Sequence, residues 1–356
     1  MARVTIADVA VAAGVSVTAV SFAFNNPERL SQATLDRVLG VAREVGYTPH
    51  PAARALSLRR SGSIGLLVPQ RLATVFANQF TAEIIQGLAD LCEAHDLNLL
   101  LVPPLDGSLE GAIRAASVDG FITLGLGGGD PAVATMERLG IPAVLIDSED
   151  AGDDSLRLAV NVDDAGGAEA AAHHLIGLGH RDLALVMLPP TSSRSWPTPV
   201  TARRLAGYQA AFFEAGLAEP FKLTAAATMA SGARAFAALP RGRRRPTAAL
   251  VMSDMAAFGM LAAAQEAGLK IPEDFSVVGY DDLPMAAWTT PALTTVRQPI
   301  VEKGRLAASL LIRRLQGKPA VSPPPLKTEL VVRASTGKPG LARGRNRLKN
   351  RQEAGV

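Results

Sequence analysis

The spacing of hydrophobic and polar positions changes near residue 62 and divides the chain into two parts. Before that point, apolar residues recur every three or four positions, which is typical of amphipathic helices. After it, short apolar runs alternate with longer amphipathic stretches. Strands that alternate with helices form parallel sheets with helices on both faces. The pattern therefore predicts an all-α headpiece followed by an α/β core.

Three helices are predicted in the headpiece, each with its own start signal. Thr5 and Asp8 have the spacing of a capping box, while Ser16 and Ser31 can cap the second and third helices. Gly14 can adopt the left-handed conformation that a tight turn requires. The apolar positions expected to face inward are Ile6, Val9, Ala10, Ala13, Ala19, Val20, Ala23, Phe24, Leu35, Val38 and Val45.

Two helices joined by a short glycine-containing turn are the geometry of a helix-turn-helix, whose second helix enters the major groove of DNA. An exposed Phe22 favours this interpretation over the alternative, a generic small helical bundle. A thymine methyl group gives such a ring an apolar partner, whereas solvent does not. The second helix is expected to present Val17, Thr18, Ser21, Phe22 and Asn25 outward.

The core contains two series of predicted strands, which imply two lobes. In open parallel sheets a ligand binds beyond the carboxyl ends of the strands, so a pocket is expected there. The first series is Ile64–Val68, Leu97–Val102, Gly120–Leu124 and Ala143–Ile146, and the second is Leu158–Val162, Leu183–Met187, Ala248–Met252 and Ser276–Tyr280. The amphipathic stretches between them are Phe80–His95, Ala165–Leu178, Arg203–Ala215 and Ala256–Ala267.

Composition and motifs narrow the class of protein. The 356 residues carry a formal net charge of +3 and one cysteine, Cys92, so no intrachain disulfide can form, which fits a cytoplasmic protein. The chain lacks a signal segment and any apolar run of membrane-spanning length. The run Gly125–Gly129 lacks the dinucleotide-binding spacing, and no phosphate loop or nucleophile elbow occurs. The five histidines have no metal-ligand spacing. We therefore expect no enzyme activity, no cofactor and no metal.

Several stretches together resemble the lactose repressor (LacI/GalR) family of transcriptional regulators. In the headpiece these are residues 4–21 with Asn25, and Val-Gly-Tyr-Thr-Pro at 45–49. In the core they are residues 80–87, 178–180, 204–207, 277–282 and 291–299, in the family's order. The resemblance implies a two-lobed periplasmic-binding-protein-like core with parallel sheets, in which residues 291–299 form one of three strands that cross between the lobes.

The resemblance also implies which residues contact DNA. Val17, Thr18 and Phe22 would read bases, although many family members carry arginine at the position of Phe22, so their operator preference does not transfer. The residues near phosphates would be Thr5, Ser16, Ser21, Asn25, Ser31, Thr34 and Tyr47. A hinge helix would follow, with His50, Ala53, Arg54 and a Leu56 that wedges between base pairs. A plain interdomain linker is the alternative for this segment.

Effector-binding roles follow from the same resemblance. Phe80 would form a wall of the pocket and Asp147 a polar contact in the first lobe, with Arg204 and Asp281 as polar anchors beside Ser253 in the second. The alternatives are a strand-end cap for Asp281 and a surface ion pair for Arg204. Sugar binders of the family often carry asparagine in place of Ser253. Trp196 could stack on a ligand ring or merely pack its loop, and Trp288 would anchor a dimer interface.

The predicted domains are a headpiece at 1–48, a hinge and linker at 49–61, an effector-binding core at 62–336 and a flexible basic tail at 337–356. The first lobe takes about 62–160 and 296–322, the second about 161–295 and 323–336. The tail has no leucine heptads, so a homodimer is expected rather than a tetramer.

The predicted function is a repressor that binds a pseudo-palindromic DNA operator and responds to a small molecule, sugar-like or alternatively a nucleobase. A periplasmic solute-binding protein is disfavoured by the headpiece and the lack of a signal segment.

Overall fold

The computed structural model describes residues 4–49, 60–148, 157–189, 198–240, 242 and 245–340. They form two compact units, one made of the described residues up to Ser63 with Ser117–Asp119, the other of the rest. The basic tail beyond residue 340 lies outside the described residues. So do five residues with predicted roles, which stay predictions: His50, Ala53, Arg54, Leu56 and Trp196.

The headpiece contains the three predicted helices, α1 (Ile6–Ala13), α2 (Val17–Asn25) and α3 (Gln32–Glu44), with a single 3₁₀ turn at Pro27–Arg29. The capping box is present, because the backbone N–H of Thr5 donates to the Asp8 carboxylate at 2.8 Å and the Asp8 N–H donates to Thr5 Oγ1 at 3.4 Å. Hydrogen bonds from the Thr5 backbone and hydroxyl lower the pKa of Asp8. Ser16 and Ser31 cap α2 and α3, as predicted.

The headpiece has its own small core. Val9, Val20 and Val38 are fully buried, and the rings of Phe24 and Tyr47 meet edge to face at 5.7 Å. The prediction that Val45 faces inward is wrong, since its side chain is 36% exposed. The helix α3 ends at Glu44, so Val45 leaves the helical stripe, and Ala42 lies in the core instead.

The first lobe is built on a five-stranded sheet. Its strands are β1 (Ser63–Leu67), β2 (Asn98–Val102), β3 (Gly120–Leu124), β4 (Ala143–Ile146) and β5 (Arg157–Val160), in the order β2-β1-β3-β4-β5. Its helices are α4 (Leu72–Ala77), α5 (Gln79–Ala94), α6 (Leu109–Ala115) and α7 (Pro131–Arg138). The assignment of residues 158–162 to the second series of strands is wrong, because β5 pairs in parallel with β4.

The second lobe is built on a six-stranded sheet in the order β11-β10-β9-β8-β6-β7, in which only β11 runs antiparallel to its neighbour among the described pairs. The strands are β6 (Leu183–Met187), β7 (Phe221–Thr224), β8 (Ala248–Val251), β9 (Ser276–Asp281), β10 (Thr294–Arg297) and β11 (Glu329–Val331). The helices are α8 (Asp164–Gly177), α9 (Pro199–Glu214), α10 (Met229–Ala237) and α11 (Asp254–Glu266).

The chain returns to the first lobe through α12 (Ile300–Leu315), which packs against α5 and the first sheet. The expected lobe boundary assigned Val296 and Arg297 to the first lobe, but both lie in β10 of the second sheet. The helices α5 and α12 touch backbone to backbone, since a Cβ on Gly304 would lie 2.4 Å from the carbonyl oxygen of Ile84. This close contact brings the first turn of α12 beside the start of α5.

No single described helix is long and apolar enough to cross a membrane. The pair α1 and α2 passes the test of length and composition only when the two are taken together, and they are bent by 106° at their junction.

A glycine also sets the crossing of α8 and α9 in the second lobe. A Cβ on Gly207 of α9 would lie 2.1 Å from the carbonyl oxygen of Ala165 in α8. Since the obstacle is backbone, one helix would have to move before any side chain could fit there.

We predict that Gly207→Ala destabilises the core by about 1–3 kcal/mol, because the added methyl group separates two packed helices. Equilibrium unfolding in urea should show a lower midpoint than wild type. The matched control is Gly177→Ala at the end of α8, where an added Cβ meets nothing within 4 Å. Alanine is a better helix former than glycine, so this control should be at least as stable as wild type. Equal midpoints for Gly207→Ala and wild type would contradict the prediction.

Candidate functional site

The outward face of α2 matches the sequence prediction only in part. Thr18 is exposed and Val17 is 47% exposed, but Phe22 is half-buried. The guanidinium of Arg29 lies 5.2 Å from the centre of the Phe22 ring, so a cation covers part of it. Phe22, expected to be exposed, is therefore only partly exposed, and Arg29, which the sequence reasoning missed, lies beside it.

The predicted phosphate-contacting residues have structural duties of their own. The oxygens of Thr5, Ser16 and Ser31 accept backbone N–H groups at the starts of the three helices. The hydroxyl groups of Ser31 and Thr34 lie 2.9 Å apart. Ser21 Oγ accepts from the Asn25 amide at 3.4 Å, so these two residues meet on one side of α2. Phosphate-contacting roles for all of them stay predictions.

A fully buried lysine organises the first-lobe side of the cleft. The Lys303 ammonium, on the first turn of α12, donates to Asp147 Oδ2 at 2.7 Å and to Gln298 Oε1 at 2.8 Å. It also lies 5.1 Å from the ring centre of Phe80, at the start of α5. Asp147 directly follows β4 with φ of 60°, a conformation that aspartate tolerates better than most residues. The predicted pair Phe80 and Asp147 is thus brought together by a residue that the sequence reasoning missed.

On the second-lobe side of the cleft, the buried cation is Arg204. Its Nε donates to Asp164 Oδ1 at 2.8 Å, Nη1 donates to the Met252 carbonyl at 2.6 Å, and Nη2 lies 3.9 Å from Asp281 Oδ1. The guanidinium also stacks 3.5 Å from the ring centre of Tyr280. Burial opposes its charge, but Asp164, Tyr280 and Asp281 together outweigh that effect and raise the pKa of Arg204. At 3% exposure, Arg204 is not a surface ion pair.

Two direct contacts join the lobes across the cleft. The amide of Gln298 donates to Asp281 Oδ1 at 2.6 Å, while its oxygen accepts from Lys303. Arg203 donates to Asp164 Oδ2 of the second lobe at 2.8 Å and to the carbonyl oxygen of Ser148, just after β4, at 2.6 Å. Charged and polar groups of both lobes therefore form one connected network.

Burial changes the acidity of the carboxyl groups in this network. It raises the pKa of Asp281 to about 7, although Arg204 and the hydrogen bond from Gln298 act in the opposite direction. Burial, with the neighbouring Asp281, raises the pKa of Asp254 well above its usual value. Asp254 accepts from the Thr295 hydroxyl at 2.6 Å, behind the cleft. On the second-lobe side of the cleft, burial therefore works against the ionised form of both carboxyl groups.

Two buried polar atoms at strand ends lack a partner within the part of the chain that the structure describes. They are the hydroxyl oxygen of Ser253, which follows β8, and Oδ1 of Asn161, which follows β5. A buried polar group without a hydrogen bond costs free energy unless a ligand or water satisfies it. Ser253 was predicted as a pocket residue, whereas Asn161 was missed.

The missed residues differ in whether the sequence could have revealed them. Lys303 lies on the apolar stripe of α12 formed by Ile300, Ala307 and Leu311, where a lysine needs a buried partner. That anomaly was a usable signal. The partnership of Asp164 with Arg203 joins positions 39 residues apart and has no local signature.

We predict that Lys303→Met destabilises the core by about 3–5 kcal/mol, because Asp147 would stay buried without its cation. The double variant Asp147→Asn/Lys303→Met should recover most of that loss, since it removes both charges. Urea unfolding of the single and double variants measures the coupling. The exposed Lys270→Met serves as control and should change stability by less than about 0.5 kcal/mol. A single variant Lys303→Met as stable as wild type would contradict the prediction.

Two models of known protein families match the chain. Residues 5–50 match "Bacterial regulatory proteins, lacI family", and residues 172–336 match "Periplasmic binding protein-like domain". The match to the first model spans the three headpiece helices, and the second covers most of the second lobe. Both the predicted family and the predicted fold class are confirmed by these matches.

Curated relatives and solved structures agree with the family matches over nearly the full length. The repressor CytR of Escherichia coli K12 is 32% identical over 93% of this chain and 96% of its own. The regulator CelR of Thermobifida fusca is 31% identical over 94% and 98%. The lac repressor dimer bound to operator and the anti-inducer ONPF is 25% identical, with a TM-score of 0.77 over 94% of this chain and all of that one. The CelR–cellobiose complex is 28% identical, with a TM-score of 0.67 over the same shares.

The relatives are helix-turn-helix regulators of transcription and not enzymes. The chain therefore belongs to the lacI family of bacterial DNA-binding regulators.

Proposed function

We propose that the protein is a repressor that binds a pseudo-palindromic operator as a dimer and changes its DNA affinity when a hydroxyl-rich small molecule binds between the two lobes. The observation that carries this proposal is the buried network of Lys303, Gln298, Asp281 and Arg204, which spans the cleft at the carboxyl ends of the strands. Ligands of open parallel sheets bind at this edge.

The polar groups around the cleft favour a ligand with many hydroxyl groups. Lys303 and Arg204 offer hydrogen-bond donors, Asp147 and Asp281 offer acceptors, and the unpaired hydroxyl of Ser253 can act as either. A hydroxyl group both donates and accepts, so a sugar or polyol can satisfy this mixed set. A nucleobase, the alternative, would require an aromatic partner, which Phe80 offers, so it is kept as an outcome of the ligand titrations below. Among the structural neighbours, one regulator contains cellobiose and another contains ribose.

Ligand binding in the cleft has a direct route to the relative position of the lobes. Gln298 and Arg203 each contact both lobes, so a ligand that replaces either contact alters what holds the lobes together. Coupling between ligand and DNA is reciprocal: a ligand that weakens operator binding must itself bind the DNA complex more weakly by the same factor.

The dimer is supported by an exposed aromatic side chain. Trp288 is 85% exposed and Met285, three residues before it, is 37% exposed. Exposed tryptophan is a frequent anchor of protein interfaces. The lac repressor neighbour is a dimer, and a two-fold symmetric dimer matches a pseudo-palindromic site.

Operator binding should depend on the outward face of α2. We expect the full chain to bind DNA from upstream of its own gene, at a ratio of two chains per site, with an affinity that falls steeply as salt rises because phosphate contacts release counterions. The double variant Thr18→Ala/Phe22→Ala should lose at least about tenfold in affinity, since each base contact contributes about 1–3 kcal/mol. Fluorescence anisotropy measures both.

The control for this experiment is Glu44→Gln, an exposed substitution at the end of α3. It should not weaken binding. Operator affinity unchanged in the α2 double variant would contradict the proposed DNA interface.

The response to the effector should depend on the guanidinium group of Arg204, which donates to two different acceptors at once. Arg204→Lys keeps a positive charge near Asp164 but cannot make the two divergent bonds to Asp164 and the Met252 carbonyl. We expect it to bind operator as wild type does without ligand and to need at least about tenfold more ligand for the same response. Anisotropy titrations with ribose, glucose, cellobiose, adenosine and adenine identify the responding compound on wild type first.

Lys222→Gln, on the second lobe away from the cleft network, is the matched control and should respond normally. A normal response of Arg204→Lys would remove the cleft assignment. A response of wild type to adenine alone would refute the hydroxyl-rich ligand.

A further inference from the structure

Three ligand-type side chains converge on the surface of the second lobe, apart from the cleft network. They are Glu169 and His173 on α8, four residues apart, and Glu214, the last residue of α9. Nε2 of His173 lies 3.6 Å from Glu169 Oε1 and 3.2 Å from Glu214 Oε2. The ligand atoms of the three residues all lie within 4.8 Å of one another.

The two separations from His173 Nε2 match the edges of a small coordination polyhedron. Zinc binds imidazole nitrogen and carboxylate oxygen at about 2.0–2.2 Å, which places neighbouring ligand atoms of a tetrahedral site about 3.3–3.5 Å apart. The two distances from His173 Nε2 fall around that range. Two carboxylates that both face one imidazole repel each other when it is neutral, and a divalent cation removes that repulsion.

The helix pair that carries the cluster is held at a set distance by contacts elsewhere. Because Gly207 lies against the backbone of Ala165, α8 and α9 cannot approach or separate without breaking a close-packed crossing. His174, adjacent to His173, is directed elsewhere, since its Nε2 lies 2.9 Å from Thr336 Oγ1. The spacing of Glu169, His173 and Glu214 is therefore set by rigid elements.

From this geometry we infer a zinc-class transition-metal site formed by His173, Glu169 and Glu214, with water completing the coordination. The ligand set of one imidazole and two carboxylates suits Zn²⁺, Ni²⁺ or Cu²⁺. Ca²⁺ requires six to eight oxygen ligands and Mg²⁺ retains most of its water, so neither is matched by this cluster. The sequence analysis expected no metal because it considered only the spacing of the histidines. This site has one histidine and two glutamates, and one of the glutamates, Glu214, lies on a different helix.

Metal at this site would join the middle of α8 to the last residue of α9, two helices whose N-terminal parts carry cleft residues. Asp164 begins α8, and Arg203 and Arg204 lie on the second turn of α9. The site would therefore stabilise the helix pair that positions one side of the cleft.

Isothermal titration of the untagged full-length protein with ZnCl₂, in a non-chelating buffer near pH 7.5, tests the inference. Wild type should show a saturable site that is lost in His173→Gln, with affinity at least about tenfold weaker in Glu214→Gln, because loss of a ligand costs no less than loss of an outer-shell partner. Zinc should also raise the melting temperature of wild type but not of His173→Gln.

The exposed His95→Gln is the matched control and should bind zinc as wild type does. Absence of saturable zinc binding in wild type overturns the proposal. So does a His173→Gln variant that binds zinc as tightly as wild type, which would assign the metal to other residues. Since all three side chains are at least partly exposed, the variants should fold, and circular dichroism checks this.

Discussion

The cleft depends on one ammonium group that has no contact with solvent. A buried charge is tolerated only where an opposite charge and hydrogen bonds replace water, and Asp147 and Gln298 supply both for Lys303. Each of those partners has a further consequence. Asp147 leaves β4 in a left-handed conformation and contacts the ammonium, and Gln298 turns its amide toward Asp281 while its oxygen faces the lysine. Asp147, Gln298 and, through Gln298, Asp281 are thereby connected to one ammonium group.

The buried ion pair of Lys303 and Asp147 fixes the positions of side chains more than it adds to the stability of the folded protein. Replacing a buried ion pair by apolar groups of similar size is often neutral or stabilising, whereas removing one partner is costly. Net stability alone therefore does not account for the charged groups in the cleft, and the proposed ligand would give them a role. The same holds for Ser253 and Asn161, whose buried oxygens the described protein leaves unsatisfied.

Local signals in the sequence predicted most of the fold, and contacts between distant positions were the part it could not supply. Thr5, Ser16 and Ser31 mark helix starts because a cap acts within three residues. By contrast, the pairing of β5 with β4 and the lobe of β10 depend on partners elsewhere in the chain. Val45 was misplaced because the helical spacing of apolar residues continues in the sequence beyond Glu44, where the helix itself ends. In the site, Arg204 and Asp281 were named from resemblance, while Lys303 broke an apolar stripe and could have been found.

The bond from Arg203 to the carbonyl oxygen of Ser148 has an evolutionary implication. Because every residue offers the same main-chain acceptor, this link between the lobes places no demand on which amino acid occupies position 148. A substitution at position 148 would therefore leave this acceptor in place, provided that the new side chain fits the buried site and that the arginine and the course of the backbone are retained. A search for co-varying pairs of positions would accordingly overlook this contact between the lobes.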